Sequence, residues 1–238
     1  MKPFFSFFGS KYRLARSLYP KPEHDMIIEP FAGSACYSLV HNARSVTIND
    51  LDPVIVGVWD FLIGSSADCI RSLPLLEAGQ SVDDLSVCQE AKWFIGFWLN
   101  KGTSRPCKTM SAWAPKYPKQ FWGEHKRSMV ASQVHLINHW VTSNKQYYDL
   151  PNTTACWFVD PPYQEAGTNY KHGSSGIDYK ALGAWCANRS GQIIVCENQG
   201  ADWLPFAGPE TLKNTRNKMT SEVAYVASGG QPNLFGAQ

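Results

Sequence analysis

Four apolar residues, Cys156-Trp157-Phe158-Val159, run directly into Asp160-Pro161-Pro162-Tyr163, and this junction restricts the fold more than any other stretch of the chain. Two successive prolines have no N–H to give to a sheet ladder, so a strand has to stop at Asp160. A short run without polar alternation is buried on both faces, the pattern of a central parallel strand covered by helices on each side. Open α/β sheets keep their ligands at the carboxyl ends of such strands, which places Asp160 at the binding edge.

The tetrapeptide suits one chemistry in particular. The exocyclic amine of a nucleobase is a poor nucleophile while its lone pair is delocalised into the ring. A catalyst that draws its N–H bonds toward two acceptors lets the nitrogen turn pyramidal. Asp160 supplies one acceptor and the backbone carbonyl of Pro161 a second, while Pro162 keeps the turn stiff and short of competing donors. Tyr163 offers a flat face for stacking a base. The plain structural alternative is a strand that simply ends in a Pro-Pro turn.

The first sixty residues read as a β-α-β-α unit. Ser10 caps a short helix through Leu18, and Met26-Ile27-Ile28-Glu29 is a strand closed by Pro30. Phe31-Ala32-Gly33-Ser34 turns the corner into a helix over 34–42, followed by a strand over 45–49 and a helix after Pro53. Gly33 lets a ligand approach the backbone, and the helix amino end can receive its polar groups. Asp50 ends the second strand about twenty residues after the first turn, where an acid hydrogen-bonds the hydroxyls of a ribose. The absence of Gly-x-Gly-x-x-Gly counts against a dinucleotide, whose pyrophosphate needs several bare backbone positions. S-adenosylmethionine has a ribose and no phosphate, and fits both observations.

From about residue 65 to 144 the pattern changes to helical segments around an irregular stretch at 101–121. Strands return at 155–159 and 192–196, with a glycine-rich loop at 164–176 containing Asn169, Tyr170, Lys171 and His172, and a helix over 178–188. A last strand spans 221–226 with 211–218 as its hairpin partner, and 229–238 reads as a loose tail. Glu197-Asn198-Gln199 ends the 192–196 strand and either lines the same pocket or serves the fold. Within the insertion, Lys101, Arg105, Lys108, Lys116, Lys119, Lys126 and Arg127 face the single acid Glu124, interleaved with Trp98, Trp113, Tyr117, Phe121 and Trp122. Such a mixture neutralises phosphates and stacks bases, or else forms a basic loop over a satellite core.

Composition sets the bounds. The 238 residues carry a net charge of only +2, so contact with nucleic acid has to come from local clustering. Seven cysteines without a Cys-x-x-Cys pair argue against a disulfide framework or a zinc ribbon, and point to a reducing cytoplasm. No metal site, membrane span or obligatory protein partner is expected. Cys107, in Arg105-Pro106-Cys107, lies far from the tetrapeptide and is no nucleophile.

Taken in order, these motifs resemble the Dam-like DNA adenine-N6 methyltransferases. Phe8-Gly9-Ser10-Lys11 is similar to the family's amino-terminal motif, Glu29-Pro30-Phe31-Ala32-Gly33-Ser34 to its cofactor loop, Asn49-Asp50 to its ribose acid and Asp160-Pro161-Pro162-Tyr163 to its catalytic motif. The resemblance covers about 4–63 and 145–226. It implies a Rossmann-like S-adenosylmethionine-dependent methyltransferase sheet over 1–64 and 145–228, with a small, mainly helical recognition insertion at 65–144. By the same resemblance Phe8 to Lys11, Glu29 to Ser34, Asp50 and Asp160 surround S-adenosylmethionine, with Lys11 and Phe8 bordering it, Glu29 and Gly33 at its methionine end and Asp50 at its ribose. Asn100 and Trp113 join the basic residues in binding double-stranded DNA, whose adenine swings out of the stack. The acid that meets the cofactor adenine in the family has no clear counterpart, leaving Gln146, Tyr147 or Asp149. A host-cytoplasmic, phage or bacterial setting is what the family suggests. Cytosine-N4 or RNA-base methylation, and a catalytically idle DNA-binding protein, are the competing readings.

Overall fold

Alternate residues of the central strands bury themselves on opposite faces. Ile27, Cys156, Phe158, Ile194 and Cys196 join one apolar cluster, while Ile28, Trp157, Val159, Ile193 and Val195 join another. A sheet with two apolar faces needs helices on both sides, as the unbroken run at 156–159 requires. The computed structural model describes residues 1–43, 45–77, 79–112, 114–165, 173–213, 219–228 and 231–232.

The strands are β1 (Met26–Glu29), β2 (Ser45–Asn49), β3 (Val141–Ser143), β4 (Ala155–Val159), β5 (Gly191–Asn198), β6 (Ala207–Lys213), β7 (Met219–Ser228) and β8 (Gln231–Pro232). Their order is β3-β2-β1-β4-β5-β7-β6, with β8 against β7. The first five are parallel, and β7 runs antiparallel to β5, β6 and β8. The chain winds outward from β1 to β3, then returns to β1's other side with β4, so a switch point lies between the carboxyl ends of β1 and β4. This is the Rossmann-like sheet expected from the sequence.

The helices are α1 (Tyr12–Ser17), α2 (Cys36–His41), α3 (Pro53–Gly64), α4 (Ala67–Ser72), α5 (Gln89–Trp98), α6 (Glu124–Ala131) and α7 (Tyr179–Ala187). Asp52 caps α3 by accepting from the Val54 N–H at 3.1 Å, with Pro53 at the first helical position. Asp178 caps α7 in the same way through the Ala181 N–H at 3.0 Å.

Several boundaries depart from the sequence reading. Ser10 caps nothing; α1 begins at Tyr12, and the Ser10 hydroxyl lies 3.0 Å from Cys36 Sγ. The helix expected over 34–42 is shorter, because Ala35 and Asn42 at its two ends both hold positive φ, 46° and 42°. The hairpin exists, but its first strand begins at Ala207, and 214–218 lie outside the described residues. Gln231 and Pro232, expected in the tail, pair with Ser228 and Ala227.

The insertion shares a core with the sheet. Val141–Ser143, at its carboxyl end, is the outermost parallel strand. Phe94, Phe97, Trp98 and Trp122 are buried in the same cluster as Phe4, Phe5 and Trp59. Phe97 packs on Phe5 with ring centroids 5.1 Å apart, and Trp98 Nε1 donates to the Phe4 carbonyl at 2.8 Å.

Strand β5 opens on Gly191, whose φ of +94° admits few L side chains and whose missing Cβ would stand 2.3 Å from the Ala155 carbonyl oxygen of β4. Backbone cannot yield as a side chain does. Gly191→Ala is expected to cost about 3 kcal/mol from overpacking and left-handed strain together. The drop should appear in the denaturant midpoint, and a midpoint equal to wild type would refute it.

Candidate active site

Parallel register brings the carboxyl ends of β1, β2 and β4 side by side. Glu29 ends β1, Asp50 follows β2 and Asp160 follows β4, and all three line one cavity of about 620 Å³. The volume lies within the range of small-molecule sites. Every residue that the sequence placed around a cofactor, Phe8, Gly9, Ser10, Lys11, Glu29, Pro30, Phe31, Ala32, Gly33, Ser34, Asp50 and Asp160, is in its wall.

Each acid is held differently. Glu29 is fully buried and accepts from the Ser38 N–H of α2 at 2.7 Å, so the helix amino end expected to receive a ligand's polar groups is already bonded to Glu29. Burial pushes its carboxyl up to about 8 despite that bond, and Asp160's charge adds to the rise. Asp50 accepts from the backbone N–H groups of Gly33 and Asp52, both at 2.9 Å, with burial raising it to about 6. Asp160 is raised to about 6 by burial, against the pull of Lys11.

Gly33 answers to geometry other than ligand approach. Its φ is +47°, a Cβ there would meet the Phe7 ring at 2.8 Å, and its carbonyl accepts from Trp59 Nε1 at 2.9 Å. The missing side chain makes room for Phe7.

Around Asp160 lies a buried polar knot. Lys11 Nζ sits 3.5 Å from Asp160 Oδ1 and 3.6 Å from Glu222 Oε1, and donates to the Gly9 carbonyl at 3.0 Å. The Tyr163 hydroxyl donates to Glu222 Oε2 at 2.6 Å, and the Lys11 ammonium stands 4.6 Å from the centre of its ring. Tyr163 is therefore no open stacking face here: it is 9% exposed and absent from the cavity wall. Pro162 lines the cavity, with its carbonyl accepting from the Tyr179 hydroxyl, whereas Pro161 is buried outside the wall. Glu197 serves the fold, accepting from the Gln164 N–H, the Asn198 N–H and Trp203 Nε1.

Of the three candidates for an adenine contact, Gln146 and Tyr147 line the cavity and Asp149 does not. Tyr147 and Phe31 face each other with ring centroids 5.6 Å apart. Asn49 sets this wall: its amide donates to the carbonyls of Pro30 and Lys145, both at 2.9 Å, and accepts from the Lys145 N–H at 3.0 Å.

No family model matches the chain, and no curated protein matches it. Among solved structures, it is similar to the 23S rRNA methyltransferase ErmE at 11% identity and a TM-score of 0.41, over 98% of this chain and 72% of that one. It is also similar to the rRNA methyltransferase aviRa from Streptomyces viridochromogenes at 14% identity and a TM-score of 0.40, over 94% and 87% of the two chains. Likenesses this loose say nothing of substrate, and the chemistry rests on the site itself.

The sequence did not point to Glu222, Asn49's bridging amide, Tyr148, Ser104, Ile177 or Asp178, whereas Gly173, Ser175 and Gly176, at the end of the loop expected beside the site, do line the wall. Glu222 had no motif to mark it, since only the pairing of β7 with β5 brings it beside Lys11. The basic surface is thinner than its composition suggested. Lys108 pairs with Asp83 at 2.6 Å, and Arg127 pairs with Glu124 and donates to the Leu73 carbonyl at 2.7 Å. Trp98, Phe121 and Trp122 are core residues, leaving Tyr117, 48% exposed, as the aromatic of that set at the surface among the described residues. Asn100, Lys101, Arg105, Lys116 and Lys119 are exposed and Lys126 is half-buried; none lines the cavity. Trp113 and the loop residues Asn169 to His172 lie outside the described residues.

Glu29 gives a pH signature. Its carboxyl releases a proton near 4.5 in the unfolded chain and near 8 when folded, so the folded state binds the extra proton between those values. Stability contributed at this position therefore falls as pH rises from about 4.5 to about 8. Glu29→Gln keeps an acceptor for the Ser38 N–H and is expected to gain on wild type across that window. Denaturant midpoints of both proteins at pH 5 and pH 8 check this; a difference independent of pH would contradict it.

Proposed function

We propose that this chain transfers a methyl group from S-adenosylmethionine to the exocyclic amine of a nucleobase in a polynucleotide. One observation carries the reading: Asp160 and the Pro162 end of its turn open into the same cavity as Asp50, Glu29 and the 8–11 and 29–34 segments. A motif suited to holding an amine thus adjoins a wall suited to a nucleoside.

The residues fit the cofactor. A carboxylate has about four acceptor positions. Asp50, bonded to the backbone of Gly33 and Asp52 and also favoured by that of Leu51, retains capacity for a ribose hydroxyl. Phe31 and Tyr147 offer apolar faces for an adenine ring, with Gln146 beside them as donor and acceptor. The cofactor supplies a methyl group on a sulfonium, an electrophile that needs no covalent enzyme intermediate. The protein's part is alignment and charge stabilisation. Asp160 accepts one amine N–H and Lys11 holds its carboxylate in place from 3.5 Å, while the Pro161 carbonyl, which lies outside the wall, becomes the second acceptor only as the turn shifts to admit the base.

The motif resemblance favours adenine N6 in double-stranded DNA. An RNA base amine is the second reading, favoured by the burial of Trp98, Phe121 and Trp122, which leaves the insertion few side chains for reading a duplex. Incubation with radiolabelled cofactor and either unmethylated DNA or unmodified RNA, followed by nucleoside analysis, separates the two. Label in neither polymer would sink the proposal.

Two outcomes are expected of the chemistry. Asp160→Ala should lose roughly a hundredfold in single-turnover rate while S-adenosylhomocysteine affinity is retained; a near-normal rate would remove Asp160 from the mechanism. In wild type at saturating cofactor, the single-turnover rate should rise with pH through about 6, as Asp160 loses its proton and both its oxygens become acceptors. A rate already flat from pH 5 upward would mean that this carboxyl does not govern the step.

A further inference from the structure

A second concave surface lies away from the cavity. Lys2, Arg16 and His125 stand on it, above a floor that includes Val40, Met129 and Tyr12, and no carboxylate is among its lining residues. Lys2, Arg16 and His125 are exposed. The Arg16 guanidinium lies 5.9 Å from the Tyr12 ring centre. Lys2 is fixed by its backbone: its N–H donates to the Gln133 side chain at 3.0 Å and its carbonyl accepts from the same amide at 2.8 Å. The side chain's charge is thus presented from an anchored position.

This surface joins the cavity through a line of cations. Lys126 lies over the Trp98 ring at 4.2 Å, and Lys101 over the Phe121 ring at 5.9 Å. Burial lowers the Lys126 ammonium, and the charges of Lys2 and then Lys101 lower it further; Lys126 also follows directly on His125 of the groove. The loop carrying Lys101 is tied to the cavity wall, with the Phe8 N–H donating to the Thr103 carbonyl at 3.1 Å and the Gly102 N–H to the Ser6 hydroxyl at 3.3 Å. Ser104 is itself part of that wall.

We infer that the phosphodiester backbone of the substrate runs from the cavity rim over Lys101 and Lys126 into the groove of Lys2, Arg16 and His125. The inference rests on the polynucleotide reading above and adds a binding surface that lies on the amino-terminal segment, α1 and α6. Like cations gathered without acids repel one another and persist where a polyanion can neutralise them. In the groove Lys2 and Arg16 have no carboxylate among the lining residues, Glu124 at its edge being bonded to Ser128 and Arg127, whereas Lys108 and Arg127 are already paired.

The test measures affinity against salt for a labelled DNA duplex and a labelled RNA stem-loop, with S-adenosylhomocysteine present. K2Q/R16Q should lower the log–log salt slope on its preferred polymer by about 2, at up to about 0.9 per lost phosphate contact. Melting temperature and S-adenosylhomocysteine affinity should match wild type. K2R/R16K, which preserves both charges, should keep the wild-type slope, and R71Q, removing a cation paired with Asp68, should also leave it unchanged. A wild-type slope in K2Q/R16Q, with wild-type binding intact, would overturn the track alone. Failure of wild type to bind either polymer at low salt would overturn both the track and the polynucleotide reading.

Discussion

Three carboxyl groups are buried at one edge of a parallel sheet, and the arrangement of the site follows from how the cost of that burial is met. The register of β1 against β2 and β4 leaves no freedom to separate Glu29, Asp50 and Asp160. The chain answers with three different environments. Glu29 is buried far enough to keep its proton near neutral pH, Asp50 accepts two backbone N–H groups, and Asp160 has the Lys11 ammonium beside it. Two carboxyls that ionise near 6 and one near 8 let the cavity gather acids without accumulating three full charges. An acid that remains neutral can shape the wall, while its neighbours serve as acceptors.

Much of this wall was legible because it follows from strand ends. The apolar run before Asp160, the proline closing Met26–Glu29 and the acid after Asn49 each mark where a strand stops, and parallel strands stop together. Side-chain direction was not legible. Tyr163 looked like a platform because its ring offers a flat face, yet its hydroxyl is drawn to Glu222, a residue on an antiparallel strand that no local motif announces. Composition misled in the insertion for a related reason. Tryptophans beside lysines have the makeup of a nucleic-acid surface, but Trp98 and Trp122 spend their indole N–H groups on the carbonyls of Phe4 and Pro74, and their rings in the core. Trp98 ends α5 and Trp122 lies in the bend before α6, and both turn inward while the lysines of the irregular stretch between them stay exposed.

The knot of Lys11, Asp160, Tyr163 and Glu222 also explains why the tetrapeptide cannot be treated as four independent residues. Lys11 reaches both carboxylates from the amino-terminal segment, and Tyr163 bonds one of them while lying under the ammonium. Removing any one partner leaves a buried charge or hydroxyl short of its match, a larger penalty than the lost bond itself. Effects of changing Lys11, Tyr163 or Glu222 should therefore be non-additive. Tyr163 can reach a base only by giving up the Glu222 bond and the Lys11 contact. On the proposed reading, the energy of base capture by Tyr163 has to exceed that of this buried network.

The shared core gives the insertion a second role beyond carrying charge. Had 65–140 folded as a separate unit, its loops would move independently of the cavity. Instead Phe97 packs on Phe5, Trp98 bonds the Phe4 carbonyl, and the 102–104 loop is hydrogen-bonded to Ser6 and Phe8. Phe8 to Lys11 follow at once and form part of the wall. Lys11, 3.5 Å from Asp160, thus lies a few residues from the points at which the Lys101 loop is bonded. On the proposed reading, the side of the protein that would meet a polyanion and the acceptor that would meet an amine are joined by one short segment, 6–11, that ends on the buried Lys11.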